Sequence, residues 1–289
     1  MKYTTLNSHL KEKVGCKVYK LAIDGGFTCP NRDGALDTRG CIFCSKGGSG
    51  EFAGNRNLSV TEQIEQGKRL VEKKIKDGKY IAYFQAFTNT YAPLSELREK
   101  YYQAINHPDI VALSIGTRPD CLGGEVLNLL DEINRIKPVF VELGLQTIHE
   151  KTAEYIRRGY PLSCYDTAVD NLHSIGINVV THLIIGLPGE SINDILESVS
   201  YVCKKTDGIK LQLLHILKGT DLEKEYNECK VKTLSLEEYV DIIKQCVDII
   251  PKSVVVHRIT GDGAKKDLVA PQWSADKKKV LNTLNNALK

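Results

Sequence analysis

Short apolar segments alternate with longer amphipathic segments along most of the chain. Six apolar segments have the length and composition of β-strands, at residues 17–24, 80–87, 110–115, 139–145, 178–185 and 209–217. Between them, apolar residues repeat at helical spacing, at residues 60–77, 94–105, 124–135, 149–157, 163–175 and 190–204. A serine followed three residues later by an acidic residue predicts helix starts at Ser59, Ser163 and Ser235.

The regular alternation of strands and helices favours one kind of fold. Consecutive strand–helix units give a parallel sheet, and right-handed crossovers wind that sheet in one direction. A closed barrel of this type needs eight units, whereas this chain has six. We therefore predict an α/β fold in which residues 1–231 form a partial (βα)6 TIM-like barrel. We predict that residues 232–289 form a short α/β C-terminal extension packed on the barrel, with a strand near 254–257 between two helices.

Composition and charge are those of an ordinary globular protein. Of the 289 residues, 42% are hydrophobic and 26% are charged, with a net charge of +3. Residues 1–30 do not have the pattern of a signal peptide, and segment 177–187 is too short to span a bilayer. We therefore expect a cytoplasmic protein that does not contact a membrane. Both ends of the chain carry an excess of basic residues, which suits either a polyanionic partner or a solvated lysine surface.

Three of the nine cysteines cluster directly after the first predicted strand. Cys29, Cys41 and Cys44 are spaced C-x11-C-x2-C in a loop that is rich in turn-forming residues. Such a loop lies at the carboxyl edge of a parallel sheet, where these folds bind ligands. Three thiolates can hold three irons of a [4Fe–4S] cluster and leave the fourth iron open. A structural zinc is the alternative, but it needs four ligands, and the nearest candidates, Cys16 and His9, precede the strand.

The cysteine loop and its flanking segments resemble a known family. The cysteine spacing, with Phe43 directly before the last cysteine, resembles the signature of radical S-adenosylmethionine (SAM) enzymes in the branch of the Elongator catalytic subunit. The segments KVYKLAIDGGFTCPNRDG and GSGEFAG, which begin at residues 17 and 48, resemble the bacterial YhcC/YtqA family. This resemblance implies the radical SAM fold, a [4Fe–4S] cluster, and cleavage of SAM to methionine and a 5′-deoxyadenosyl radical.

The resemblance also implies SAM contacts at the ends of the predicted strands. Phe43 lies in the cluster loop, and Thr88 and Asn89 follow the second strand, where the family binds the methionyl ammonium group. An ordinary turn is the alternative for these two residues. Arg118 follows the third strand and suits a carboxylate or phosphate, or a plain surface position. Gln146 ends the fourth strand, where the resemblance implies that a glutamine contacts the SAM ribose.

Two more residues are assigned to SAM on the same basis. Arg158 matches the arginine that pairs with the methionyl carboxylate, although Arg157 and Tyr160 beside it differ from the family pattern. His182 on the fifth strand takes the place of an acidic ribose contact in relatives. A satisfied core histidine is the alternative interpretation of His182.

Candidate catalytic residues are Cys121, His182 and Lys210. Lys210 and Gln212 lie on one face of the sixth strand, and a lysine inside a barrel is costly unless it has a partner or ligand. If that face of the strand points into the barrel, we expect both residues on the substrate side. If the other face points inward, both side chains point out of the barrel. Cys121 follows the third strand. Its predicted role is a hydrogen-atom donor or a substrate contact, and the alternative is an ordinary turn residue.

The resemblance implies a substrate as well. Relatives in the Elongator branch act on the wobble uridine of tRNA, and the YhcC/YtqA family resembles enzymes that remodel its 5-substituent, for example from carboxymethylaminomethyl to aminomethyl. We therefore expect the tRNA anticodon loop as partner and a flavodoxin or ferredoxin as electron donor. Two alternatives stay open at this point. One is a radical SAM enzyme acting on a small metabolite or protein, and the other is an iron–sulfur or zinc RNA-binding protein without radical chemistry.

Overall fold

A curved parallel sheet forms the centre of the computed structural model, which describes residues 2–74, 78–261 and 263–288. The strands are β1 Val18–Ile23, β2 Lys79–Phe84, β3 Ile110–Thr117, β4 Val139–Gln146, β5 Asn178–Ile185, β6 Gly208–Leu213, β7 Ile216–Leu217, β8 Val255–Arg258 and β9 Leu268–Ala270. Seven of them form the main sheet in the order β1-β2-β3-β4-β5-β6-β8, and every neighbouring pair is parallel.

The main sheet is curled into a partial barrel. On β6, Lys210 Nζ lies 3.2 Å from the hydroxyl of Tyr83 on β2, although these two strands are not neighbours in the sheet. A flat sheet would hold them far apart, because adjacent strands are about 4.8 Å from each other. The predicted partial barrel is therefore confirmed, with a seventh strand added to the six.

Helices connect the strands and cover the outer face of the sheet. They are α1 Leu6–Val14, α2 Val60–Val71, α3 Leu94–Ile105, α4 Gly124–Asn134, α5 Glu150–Tyr155, α6 Leu162–Ser174, α7 Ile192–Cys203, α8 Asp221–Asn227, α9 Leu236–Ile249 and α10 Lys277–Ala287. Within the described part of the chain, no helix is long and apolar enough to cross a membrane.

The alternation of side chains along the strands separates an apolar outer face from a more polar inner face. On β4, Val139, Val141 and Leu143 are fully buried in the main core with the helices. Glu142 and Gln146 occupy the other phase of the same strand and line the inside of the barrel. The hydrophobic core therefore lies between sheet and helices, and the inner face is left for polar residues.

Helix α1 covers the amino-terminal end of the barrel. Leu10 packs with Val18, Ile81 and Ala112, which are inward-facing residues near the starts of β1, β2 and β3. Thr5, directly before α1, forms a parallel bridge to Val256 of β8. This apolar group covers part of the amino-terminal end of the interior.

The structure corrects several predicted boundaries. Residues 209–217 do not form one strand, because β6 ends at Leu213 and Ile216–Leu217 pairs antiparallel with β9. The helix predicted at 60–77 ends at Val71 and continues as the 3-10 turn Glu72–Lys74. Its last three predicted residues, 75–77, lie outside the described residues. The other five strands agree with the predictions to within three residues.

The C-terminal extension contributes to the barrel itself. Its strand β8 pairs with β6 as the seventh strand of the main sheet, and β9 pairs with β7 in a small second sheet. The helices α9 and α10 contact each other, and α9 also contacts α7. The division between residues 231 and 232 stays a prediction.

Helix caps follow the predicted chemistry at two of three positions. Ser59 and Ser235 each form a complete capping box, with Glu62 and Glu238 respectively. The prediction for Ser163 is wrong, because α6 already begins at Leu162, after Pro161, and its start has no side-chain cap. A further capping box, Ser191 with Asp194, begins α7 and was not predicted.

The caps give a test of the local structure. Ser59→Ala removes the hydroxyl that accepts the Glu62 N–H, so we expect the free energy of unfolding to fall by about 1 kcal/mol. Ser163→Ala is the matched control and should change it by less than about 0.5 kcal/mol, since no cap bond is lost. Urea denaturation measures both. Equal losses in the two variants would contradict the assignment of the caps.

Candidate functional site

A cavity of about 1110 Å³ opens at the carboxyl ends of the strands. The cysteine loop forms one side of it, the inner faces of the strands form its interior, and residues from the C-terminal extension form part of its rim. This is the position where barrels and open α/β sheets bind ligands. The cavity is large enough for a nucleoside-sized cofactor together with part of a substrate.

All three clustered cysteines line this cavity. Within their loop, the Arg32 N–H donates to the Cys29 carbonyl at 2.8 Å and the Cys44 N–H donates to the Cys41 carbonyl at 3.0 Å. The Arg32 guanidinium donates to the carbonyl of Cys44 at 2.8 Å. Gly40 has a φ of 78°, and a Cβ there would lie 2.9 Å from Arg32 Nε, so this turn requires glycine.

The cysteine arrangement fits a multi-iron cluster better than a single zinc ion. Three thiolates on one tetrahedral zinc lie about 3.8 Å apart, given Zn–S bonds of about 2.3 Å. Among the described residues, two groups of metal-binding side chains bring all their ligand atoms within 4.8 Å of one another, and neither contains a cysteine. Burial raises the pKa of the Cys41 thiol to about 12, and a bound cation would favour the thiolate.

Most residues assigned to SAM surround the same cavity. Phe43, Thr88, Arg118, Gln146, Arg158 and His182 all line it. Asn89 is not among the lining residues. Its side-chain amide donates to the Gly116 carbonyl at 2.7 Å, whereas its Oδ1 is buried without a hydrogen-bond partner. The structure therefore brings six of the seven residues together and places Asn89 between the ends of β2 and β3.

Gln146 has an unusual backbone conformation at the end of β4. Its φ is 72°, in the left-handed region, and the pairing of β4 with β5 shifts register between Gly144 and Gln146. A Cβ at Gly144 would lie 2.9 Å from Gln146 Nε2, so the side chain folds back over the glycine. Strain of this kind costs about 1–3 kcal/mol and is concentrated at functional sites.

Two arginines of the cavity wall, Arg158 and Arg118, have different hydrogen-bond partners. Arg158 is buried, and its guanidinium donates to the carbonyls of Thr147 and Tyr160 at 2.7 and 2.9 Å and to Glu150 at 3.1 Å. Arg118 forms a two-point pair with Asp120 at 2.9 and 2.7 Å. Both guanidinium groups lie over the Tyr160 ring, at 4.8 and 5.1 Å from its centre. These contacts orient both arginines on one wall of the cavity.

Arg157 and Cys121 lie outside this arrangement. Arg157 pairs with Asp221 at 2.8 Å and is not among the lining residues. Cys121 lines a separate cavity of about 750 Å³ with Tyr91 and Glu96, on the other side of the cysteine loop. Its Sγ lies 3.7 Å from Asp120 Oδ1, and burial raises the pKa of its thiol to about 12. The structure therefore does not bring Cys121 together with His182 and Lys210.

A layer of polar residues crosses the barrel below the cysteine loop. It contains one residue from each of the seven strands of the main sheet, and we call it the inner polar layer: Lys20, Tyr83, Ser114, Glu142, His182, Lys210 and Arg258. Four of them, Lys20, Ser114, His182 and Lys210, lie three residues before the last residue of their strand, about 10 Å below the carboxyl edge of the sheet at those strands.

Glu142 is the centre of the inner polar layer. Its fully buried carboxylate accepts hydrogen bonds from both Lys20 and Lys210, from the Ser114 hydroxyl at 2.7 Å and from His182 Nε2 at 2.8 Å. The two ammonium groups also lie 4.9 and 4.6 Å from the centre of the Tyr83 ring. One carboxylate thus connects residues from β1, β3, β4, β5 and β6.

The electrostatics of this layer follow from burial and from the lysines. Burial acts to raise the pKa of Glu142, but Lys20 and Lys210 outweigh it and hold this pKa well below its usual range. Burial lowers the pKa of Lys210 to about 7, against the attraction of Glu142, and lowers that of His182 to about 4. His182 is therefore neutral at pH 7, with Nε2–H toward Glu142 and Nδ1 accepting from Gln212 at 3.2 Å.

Sequence reasoning found His182 and Lys210 but missed most of this layer. Lys20, Tyr83, Glu142 and Arg258 were not among the candidates. The signal was present for Glu142, because period-two alternation on β4 places it on the same face as Gln146. Nothing in the sequence shows that the four partners of Glu142, which lie up to 190 positions apart between Lys20 and Lys210, meet around one carboxylate.

Removing the central carboxylate should destabilise the fold. In Glu142→Gln, two buried lysines lose their counter-charge, so we expect the free energy of unfolding at pH 7 to fall by about 3–5 kcal/mol. Because the folded pKa is depressed, this stabilisation is full above about pH 4.3 and is lost as the pH falls through the folded pKa. Urea denaturation at several pH values measures it. The control Glu228→Gln, in an exposed pair with Lys230, should leave the midpoint unchanged, and equal effects would contradict the prediction.

Comparison with known proteins identifies the family. The model of the "Radical SAM superfamily" matches residues 38–202, and that of the "Radical SAM C-terminal domain" matches residues 206–289. YtqA of Bacillus subtilis is 48% identical over 288 residues, which cover 99% of this chain and 89% of the relative.

Two further matches are more distant. The tRNA uridine(34) acetyltransferase of Methanocaldococcus jannaschii is 31% identical over 159 residues, 53% of this chain and only 28% of that protein. The structure of Methanocaldococcus infernus Elp3 with an N-terminal deletion aligns with a TM-score of 0.69 and 20% identity, covering 94% of this chain and 64% of that one. The first of these matches is partial, and the second shows the fold alone. On the family match and the relation to YtqA, the chain belongs to the radical SAM superfamily, whose members hold a [4Fe–4S] cluster and SAM.

Proposed function

We propose that this protein is a radical SAM enzyme that modifies the 5-substituent of the wobble uridine in tRNA, for example from carboxymethylaminomethyl- to aminomethyluridine. The observation that carries this proposal is one cavity that contains both the cysteine loop and a basic rim. Lys265, Lys266 and Lys277 lie exposed at that rim, where phosphates of a nucleic acid would lie if a base entered the cavity. The relation to a tRNA uridine(34) acetyltransferase supports the same substrate.

The cofactors fit the residues present. Cys29, Cys41 and Cys44 would hold three irons, and the cluster, reduced by a flavodoxin or ferredoxin, supplies the electron that cleaves SAM. Arg158 and Arg118 would orient the carboxylate of SAM, while Thr88 and Gln146 would bind its ammonium group and ribose. The apolar group around Ile42, Ile184 and Leu214 would exclude water from the reacting atoms.

The substrate base would enter past the basic rim. Bases in single-stranded loops can be turned out of their stack into a recessed pocket, which suits an anticodon loop better than a duplex. His182 and Lys210 lie on the inner faces of β5 and β6, within the part of the cavity that such a base would reach. They are the proposed substrate-side residues of this site.

The cluster assignment is tested by anaerobic reconstitution with iron, sulfide, SAM and dithionite. We expect Cys41→Ala to lose bound iron and sulfide and to form no 5′-deoxyadenosine, because one iron loses its ligand. Cys16→Ala is the matched control and should keep both, since Cys16 lies outside the cavity. Iron and sulfide analysis and chromatography of the nucleosides measure these outcomes. Metal loss in Cys16→Ala would instead favour zinc held by Cys16 and the loop cysteines.

The tRNA substrate is tested by nucleoside mass spectrometry of tRNA from a deletion strain. We expect the wobble uridine to accumulate the unprocessed 5-substituent and to regain the product when the gene is restored. Restoration with the Cys41→Ala gene should fail. Unchanged wobble uridines in the deletion strain, alongside SAM cleavage by the purified protein, would refute the tRNA proposal and indicate a metabolite or protein substrate.

A further inference from the structure

One aromatic side chain is exposed at the mouth of the main cavity. The chain has 13 tyrosines, six phenylalanines and one tryptophan, all of them within the described residues. All are buried or half-buried except Phe52, which has 58% of its surface exposed. Phe52 also lines the cavity, so its ring lies at the boundary between the cavity and solvent. Single exposed apolar residues are common on proteins, so the surroundings of this ring decide whether it has a role.

The segment that carries the ring, residues 45–54, is held close to the barrel. The Gly48 carbonyl accepts a hydrogen bond from the Phe87 N–H at 2.9 Å, and a Cβ at Gly48 would lie 2.4 Å from the Phe87 ring. The Gly54 N–H donates to the carbonyl of Ala22 on β1 at 3.0 Å. Because the backbone is fixed at these points, a ligand that contacts the exposed ring does not have to order the segment first.

Basic side chains lie around the same mouth. Lys46 is exposed in the segment that carries the ring, and Lys265 and Lys266 are exposed where the C-terminal extension lines the cavity. Glu51, the acidic residue of the segment, accepts a hydrogen bond from the Ser45 hydroxyl. A flat apolar ring among cations suits a nucleotide, because the base presents a π face and the phosphate is an anion.

We propose that Phe52 stacks on an unpaired base of the RNA substrate, next to the base that enters the cavity. Aromatic side chains stack on unpaired bases in many RNA-binding proteins, and such a contact tolerates every base because each has a π face. In this arrangement the ring positions the RNA loop, and the lysines of the rim bind its phosphates. The proposal deepens the proposed function and rests on it for the RNA substrate, whereas the position of the ring is derived from the structure.

The test measures binding of a labelled anticodon stem–loop RNA by fluorescence anisotropy, with the reconstituted full-length protein kept anaerobic and saturated with S-adenosylhomocysteine. We expect Phe52→Ala to weaken binding by about tenfold, the effect of losing one stacked base. Phe52→Leu keeps an apolar side chain without the π face and should lose nearly as much, whereas Phe52→Tyr should bind as the wild type does. Ile136→Ala is the matched control, because it removes a side chain of similar exposure between α4 and β4, outside the cavity, and should leave the affinity unchanged.

Salt dependence separates the ring from the lysines. Phe52→Ala should lower the affinity by the same factor at every KCl concentration, because stacking releases no counterions. Lys265→Ala should instead reduce the slope of log affinity against log salt by about 0.7 to 1. A reduced slope in Phe52→Ala would show that this variant acts through the charged rim, and it would overturn the stacking proposal.

An RNA with an abasic nucleotide on one side of the target uridine identifies the stacked base. If the ring and that base contact each other, Phe52→Ala and the abasic RNA each weaken binding, and together they weaken it no further. Additive losses at both flanking positions, or a loss in Phe52→Ala no larger than in Ile136→Ala, would overturn the proposal. Slower reduction of the cluster by flavodoxin in Phe52→Ala, with RNA binding unchanged, would also overturn it and assign the ring to a protein partner.

The failure of this proposal can be told from the failure of the proposed function. The anisotropy measurements report RNA binding and not the reaction. Unchanged wobble uridines in a deletion strain would therefore refute the proposed reaction and leave the stacking result standing. Changed wobble uridines, together with equal RNA binding by Phe52→Ala and the wild type, would refute the role of Phe52 alone.

Discussion

The buried carboxylate of Glu142 is the interaction on which the interior of this barrel depends. It connects Lys20, Ser114, His182 and Lys210, which lie on four other strands, and so fixes how far the sheet curls. The apolar core lies on the outer face of the sheet, between strands and helices, and sets no distance across the interior. Replacing such a network by apolar residues is often neutral or stabilising in other proteins. The network is therefore weak evidence for net stability, although loss of Glu142 alone would leave two buried lysines without their counter-charge.

The interior is built in layers because each strand turns every second side chain inward. Strand β3 shows these layers in order. Ala112 packs with Leu10 of α1 in an apolar layer, Ser114 belongs to the inner polar layer, and Gly116 lines the cavity. The cysteine loop and the strained Gln146 lie above these layers, where backbone rather than strand geometry positions the ligand groups. Depth in the barrel thus separates the cysteine loop at the strand ends from the inner polar layer below it.

The sequence predicted the repeated elements well and the interior poorly. Both ends of strand β5 were predicted correctly, because its apolar segment is long and clearly bounded. The end of β6 was predicted wrongly, because Ile216–Leu217 pairs with β9, which is distant in sequence. The cysteine spacing is a local signal and identified the superfamily. Contacts around Glu142 are not local, so alternation shows that this residue faces inward but not what it meets.

The C-terminal extension completes the site as well as the fold. Strand β8 pairs with β6 and brings Arg258 beside Lys210 as the seventh member of the polar layer. The same segment supplies Lys265 and Lys277 at the rim, so one stretch of chain contributes both to the deep cationic layer and to the entrance. An isolated six-stranded barrel would leave the edge of β6 unpaired and remove cations from both levels. The partial barrel and its extension therefore form the walls of one cavity together.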